Sequence, residues 1–98
     1  MEENPRLRFI GLDVGEKRIG VAISDPTQTI SSPLPAINRN TLEKDIRSVL
    51  DLVETYHAKT IVVGLPISLS GRIGSQAIKI KSFIRDLAES STIPIKAQ

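Results

Sequence analysis

The chain has 98 residues and a formal net charge of +2, with 40% hydrophobic and only 3% aromatic residues. This length fits one domain, and its core must come from Ile, Val and Leu side chains. Cysteine is absent and histidine occurs once, which excludes disulfides and zinc sites built from thiolates or several histidines, so any bound metal must be a hard cation on oxygen ligands. No apolar run is long enough to span a membrane, and the first residues lack the apolar core of a signal peptide, so we expect a cytoplasmic protein.

Three strands are predicted in the first part of the chain. Residues 7–14 place apolar side chains on both faces, which is typical of a central strand. Residues 18–24 follow after a tight turn at 15–17, so these two strands must pair antiparallel. Residues 30–37 predict a third strand. Its two prolines cannot donate ladder hydrogen bonds, so we place it at the sheet edge.

Two helices and two more strands follow in alternation. Apolar residues at steps of four and three predict a helix over residues 40–57, with Asn40 as its N-cap and Glu43 completing a capping box. A second apolar stripe predicts a helix over residues 72–88. The remaining strands are predicted at residues 60–65 and 93–97. The order predicts an α/β fold with a mixed sheet, in which three antiparallel strands precede βα units that add parallel strands, covered by helices.

The stretch most suggestive of chemistry is residues 11–25, with the sequence GLDVGEKRIGVAISD. Asp13 falls near the end of a predicted buried strand, where a carboxylate costs several kcal/mol unless a partner such as a cation compensates it. Gly11 precedes it on the same face and leaves space for a ligand. A carboxylate that simply bridges the turn is the competing interpretation. Asp25 is expected roughly 24 Å from Asp13 along the hairpin, too far to be a second ligand.

Basic and hydroxyl side chains near the strand ends are candidate phosphate contacts. Two lie in the first turn, two in the loop after the fourth strand and two on the second helix, whereas the first helix is acidic. Each also has an ordinary interpretation, as turn charge, a plain connection or a solvated helix surface. The candidate nucleic-acid-binding residues are Lys17, Arg18, Ser68, Ser70, Arg72 and Lys79.

Two blocks of this sequence resemble the YqgF (RuvX-like) family over about residues 7–98. The blocks are residues 11–25, and residues 61–66 (IVVGLP) followed by Gly71, Ala77 and Phe83. The resemblance implies an RNase H-like fold and a nuclease, linked to maturation of the 5′ end of pre-16S rRNA and similar to Holliday junction resolvases. It implies that Asp13 is the first acidic ligand of a Mg²⁺ or Mn²⁺ site. The implied partners are pre-rRNA or branched DNA, and the ribosome.

The resemblance stops short of one family feature. In the family, a strand like residues 93–98 is followed by an Asp-Glu-Arg motif and a later Asp, and this sequence ends at Gln98. We therefore expect residues 1–98 to form a single RNase H-like domain that is incomplete at its C-terminal end. Because a two-metal site needs several carboxylates, we expect these residues alone to be inactive. A partly bare sheet face should also make them self-associate or exchange strands.

Three functions are compatible with these features. The first is a metal-dependent nuclease that acts on pre-rRNA or on branched DNA, and the sequence does not choose between the two. The second is a non-catalytic module that binds RNA or the ribosome. The third is an actin-like ATP-binding lobe, which also opens with an Asp-x-Gly hairpin. Such proteins need two lobes and a longer chain, which disfavours this third function.

Overall fold

A computed structural model of the chain describes residues 8–24, 31–65 and 75–98. These residues form strands and helices in the order β-β-β-α-β-α-β, as the sequence predicts. The elements are β1 (Phe9–Val14), β2 (Arg18–Ser24), β3 (Ser31–Asn38), α1 (Leu42–Tyr56), β4 (Thr60–Val63), α2 (Ser75–Ser90) and β5 (Ile95–Ala97). Within the described ranges, neither helix has the length and apolar character needed to cross a membrane.

The five strands form one mixed sheet in the order β3-β2-β1-β4-β5. β1 pairs antiparallel with β2, and β2 pairs antiparallel with β3. On its other side β1 pairs parallel with β4, which pairs parallel with β5. The predicted α/β mixed sheet is confirmed, with β1 near its centre. The proline-containing β3 lies at the edge, where its missing N–H groups cost no ladder hydrogen bond.

The hydrophobic core lies on one face of this sheet, because alternate residues of each strand point to the same side. Both helices contribute their apolar stripes to this face. The buried core side chains include Ile10, Leu12 and Val14 of β1, Ile19, Val21 and Ile23 of β2, Ile61 and Val63 of β4, Val49 of α1, and Ile80, Phe83 and Leu87 of α2. On the opposite face of β1, Phe9 and Gly11 are half-buried and Asp13 is exposed. We call this opposite side, formed by Phe9, Gly11, Asp13, Gly20, Ala22, Val62 and Gly64, the open face.

The first helix begins one residue later than predicted. Its N-cap is Thr41, whose hydroxyl oxygen accepts a hydrogen bond from the Lys44 amide, so the assignment of Asn40 is wrong. The Asn40 amide instead donates to the carboxylate of Asp45 at 2.8 Å, and its side chain accepts from the Thr41 amide. The predicted partner Glu43 is exposed, and the return bond to the chain before the helix comes from buried Asp45.

The remaining boundaries differ by a few residues. The ladder of the last strand starts at Ile95, since the Ser91 hydroxyl bonds both the amide and the carbonyl of Ile93, and Pro94 has no N–H. β4 ends at Val63, although the amides of the next two residues still bond to Leu12 and Gln98. The predicted start of the second helix lies outside the described residues, and the helix extends two residues beyond its predicted end.

Candidate functional site

Asp13 lies one residue before the end of β1, on the open face of the sheet. Its cross-strand partner is Gly20 of β2. A Cβ atom on Gly20 would lie 3.5 Å from the Cβ of Asp13, so the glycine keeps the space beside the carboxylate clear. Together with the rest of the open face, Asp13 lines a shallow depression of about 330 Å³. The carboxylate is therefore accessible to an ion or a phosphate.

The exposure of Asp13 corrects one step of the sequence argument. We expected a buried carboxylate that needs a cation to offset the cost of burial, but the side chain is exposed. Because water solvates the exposed carboxylate, no metal ion is needed to offset a cost of burial. The case for Asp13 as a metal ligand rests instead on its position among small residues on the open face. The competing interpretation that it bridges the turn finds no support, since none of the described hydrogen bonds of the turn uses its side chain.

The described residues do not hold a complete metal site. A carboxylate oxygen is the donor that Mg²⁺ and Mn²⁺ prefer. Across residues 8–24, 31–65 and 75–98, however, no group of three or more His, Cys, Asp or Glu side chains could hold a metal ion. Asp13 thus fits as a single ligand of a hard cation, and these residues alone do not complete a site. The expectation for Asp25 lies outside the described residues.

The turn that follows Asp13 carries two of the predicted phosphate-binding side chains. The amide of Gly15 donates to the carbonyl of Arg18 at 2.9 Å and closes the turn. Lys17 and Arg18 both have exposed side chains. By strand alternation, Arg18 lies on the same face of β2 as Gly20, which is the face that carries Asp13. The structure thus brings the two basic residues and the carboxylate to one end of the hairpin.

The second helix lies on the other side of the sheet. Exposed Lys79 and half-buried Gln76 line a cavity of about 460 Å³ between α2 and the turn, and Glu16 of the turn lines it as well. The Gln76 side chain donates to the carbonyl of Val14 at 3.3 Å, tying the helix to the end of β1. Lys79 is therefore near the turn but not on the open face with Asp13. Three further predicted contacts, Ser68, Ser70 and Arg72, lie outside the described residues.

Sequence reasoning missed the residue that connects the turn to both helices. Arg39 donates from Nε to the carboxylate of Asp45 at 2.8 Å and from Nη1 to the carbonyl of Gly15 at 2.6 Å. Its guanidinium carbon lies 5.6 Å from the ring centroid of Phe83, a cation–π distance. A signal was present, because Asp45 falls three residues after Leu42 and four before Val49 on the apolar stripe of α1. A charged residue on such a stripe requires a partner.

Both sequence blocks lie within the range of residues that matches a known family. Residues 7–98 match the sequence model of the RuvX family, described as Holliday junction resolvase. A protein of Desulforudis audaxviator named "Putative pre-16S rRNA nuclease" is 40% identical over 89 residues, which cover 91% of this chain and 63% of that protein. A relative of the same name from Desulforamulus reducens is 41% identical over 92% of this chain and 66% of its own length. The chain thus spans a little under two thirds of the length of these relatives.

Solved structures show the same fold at low sequence identity. The Thermus thermophilus RuvC structure in complex with a Holliday junction substrate superposes with a TM-score of 0.66 at 14% identity, covering 93% of this chain and 63% of that one. The predicted RNase H-like fold is confirmed by this similarity. A Bacteroides thetaiotaomicron protein with an actin-like ATPase fold and unknown function also superposes, with a TM-score of 0.55 over 34% of its length. The fold is therefore common to both protein classes and does not separate them.

Proposed function

Because this chain belongs to the RuvX family of Holliday junction resolvases, we propose that its function is metal-dependent hydrolysis of phosphodiester bonds. The proposed substrate is the 5′ region of pre-16S rRNA, for which the relatives at about 40% identity are named. A branched DNA junction is the second candidate, supported by the family description and by the likeness to a junction resolvase. The observation that carries the proposal is the exposed Asp13 carboxylate at the end of β1, within the family-matched residues and beside a glycine-lined depression.

The proposed cofactor is Mg²⁺ or Mn²⁺. When bound, such ions lower the pKa of a water molecule and stabilise the developing charge on a leaving oxygen. Asp13 would contribute one carboxylate oxygen, and its exposure on the open face leaves room for an ion with its remaining waters. We place the other acidic ligands outside the described residues. We also propose that residues 1–98 belong to one domain whose metal site needs more carboxylates than the described residues hold.

Lys17 and Arg18 are the proposed phosphate contacts beside Asp13. Both are exposed and follow the carboxylate within one hairpin, so a nucleic-acid backbone that crosses the open face could meet all three. Their positive charges would offset phosphate repulsion from the Asp13 carboxylate. Lys79 would meet a strand that passes over the turn to the helix side. The proposed roles of Ser68, Ser70 and Arg72 in the same contact rest on the sequence alone.

Two further proposals concern where the protein acts and whether its copies associate. A nuclease of pre-rRNA would act in the cytoplasm, on the ribosomal precursor or on the assembling ribosome. We further propose that, when no nucleic acid occupies the open face, copies of this chain self-associate through it, because the apolar side chains of Phe9 and Val62 are only half-buried there.

A cleavage assay on the full-length gene product tests the proposed chemistry. The substrates are an RNA that carries the 5′ extension of 16S rRNA and, in parallel, a four-way DNA junction. We expect cleavage that requires Mg²⁺ or Mn²⁺ and that falls by at least about 100-fold in Asp13→Asn, because a metal ligand is lost. Asp51→Asn is the matched control, since it removes another exposed carboxylate, on α1, and should cleave like the wild type. Residues 1–98 alone should show no cleavage.

Three results would favour a different function. Wild-type cleavage rates in Asp13→Asn would remove Asp13 from the reaction. Tight binding of the RNA without any cleavage by the full-length gene product would identify a non-catalytic RNA-binding or ribosome-binding module. Tight ATP binding without affinity for either nucleic acid would favour an actin-like lobe.

A further inference from the structure

One residue holds the β1–β2 turn from both of its ends. The Arg39 amide donates to the carbonyl of Lys17 at 2.9 Å, and its side chain donates to the carbonyl of Gly15. These two carbonyls flank Glu16, so both ends of the turn are bonded to Arg39, three residues before α1. Among the turn and loop bonds of the described residues, one further backbone bond closes the turn, from the Gly15 amide to the Arg18 carbonyl. The position of the Lys17 backbone therefore depends on Arg39.

The side chain of Arg39 is itself held in place on three sides. Asp45 is only 1% exposed and accepts the Arg39 Nε–H and the Asn40 amide on its two carboxylate oxygens. The guanidinium carbon lies over the Phe83 ring of α2. A planar group with several fixed donors can make these contacts together, which a single lysine ammonium cannot. This arrangement joins the turn, the start of α1 and the middle of α2 through one side chain.

We propose that Arg39 is a positioning residue that holds Lys17 where it contacts a phosphate of the nucleic acid beside Asp13. This inference rests on the proposed function and adds a residue to it. Arg39 is 27% exposed, with Nε bonded to Asp45 and Nη1 bonded to Gly15, and in this proposal it acts by holding the turn and not by its own contact with the substrate. A nuclease that lacked this arginine would keep Asp13 and Lys17 but lose their mutual placement.

A double variant separates the positioning role of Arg39 from its contribution to the stability of the fold. Arg39→Met alone leaves the buried Asp45 carboxylate without its cation, which destabilises the fold. The double variant Arg39→Met/Asp45→Asn removes both charges, and the side-chain amide oxygen introduced at position 45 can still accept the Asn40 amide. We expect the double variant to unfold at a higher urea concentration than Arg39→Met, because it leaves no unpaired carboxylate in the core. Any loss of RNA affinity that persists in the double variant then reports on the position of the turn.

The binding experiment is a mutant cycle that combines the double variant with Lys17→Gln. The affinity of the full-length gene product for a labelled RNA hairpin is measured over a range of salt concentrations. For Lys17→Gln and for the double variant, the slope of log affinity against log salt concentration should in each case fall in magnitude by about one. This change is expected when one phosphate contact is lost. The triple variant should lose no more than Lys17→Gln, because Arg39 acts only through Lys17. Lys44→Gln, which removes an exposed charge on α1, is the control. Additive losses in the triple variant, or full affinity in Arg39→Lys, would show that Arg39 contacts phosphate directly and would overturn the inference.

Amide hydrogen exchange of the free chain decides the inference even when no RNA binds. In the double variant the amides of Gly15 and residue 39 should exchange at least about tenfold faster, while the amide of Ile61 in the core keeps its wild-type rate. Unchanged exchange at Gly15 would overturn the positioning role, whatever the affinity. An absence of RNA binding in the wild type would instead count against the proposed function, and the exchange rates would still report whether Arg39 holds the turn.

Discussion

At the scale of single residues, the turn after Asp13 requires a glycine for steric reasons. A Cβ atom on Gly15 would lie 2.9 Å from the carbonyl oxygen of Arg18, a backbone atom that cannot move without opening the turn. We expect Gly15→Ala to reduce the free energy of unfolding by about 1–3 kcal/mol, as overpacking does elsewhere. Urea unfolding of the chain measures this change.

Gly20 offers the matched control for that substitution. Its added Cβ would meet Asp13 at 3.5 Å, an ordinary van der Waals contact, so Gly20→Ala should change stability by less than about 1 kcal/mol. Equal losses in the two variants would contradict the steric explanation. Gly20→Ala should nevertheless narrow the space beside the Asp13 carboxylate, which makes it informative in the cleavage assay as well.

At the scale of secondary structure elements, the start of α1 depends on one hydroxyl. Thr41 accepts the Lys44 amide, which would otherwise have no partner in the first turn of the helix. Thr41→Ala should therefore cost about 1 kcal/mol. Thr55→Ala makes the same chemical change inside the same helix, where the hydroxyl only donates to the Asp51 carbonyl, and it should be neutral or slightly stabilising. Thermal unfolding of both variants tests the assignment, and a smaller loss for Thr41→Ala than for Thr55→Ala would refute it.

The elements themselves could be predicted because their periodicity is strong. Alternation over residues 9–14 and 18–24 predicted β1 and β2, and apolar steps of three and four predicted α1 and α2. Their ends could not be predicted, because they depend on particular contacts. The return bond from Asp45 to Asn40 and the two bonds of the Ser91 hydroxyl to Ile93 join residues whose partnership no periodic pattern shows.

At the scale of the whole molecule, the sequence predicted which residues share the candidate site only where they share a hairpin. Asp13, Lys17 and Arg18 come together because one short turn joins the paired strands β1 and β2. Lys79 was grouped with them by charge, yet α2 lies on the other side of the sheet from Asp13. The partnership of Arg39 with Gly15 crosses 24 positions of the chain and depends on how the start of α1 packs against the turn. Only the folded arrangement contains that information.

The open face also makes a prediction about assembly. Phe9 and Val62 are half-buried there, although both belong to strands with partners on each side. Burying this apolar surface against a second copy would remove it from water and favour association. Sedimentation velocity of the chain should therefore show a concentration-dependent shift from monomer to a larger species.

Two lysine substitutions localise the contact. Val62→Lys places a charge at the centre of the open face, beside Gly11 in the parallel register, and should raise the apparent dissociation constant at least about tenfold. Ile78→Lys introduces the same charge at an apolar residue of α2 that is 60% exposed, and should leave association unchanged. Circular dichroism first establishes that both variants are folded. A wild-type chain that stays monomeric at every concentration, or an equal effect of the two substitutions, would mean that the open face does not pair with itself.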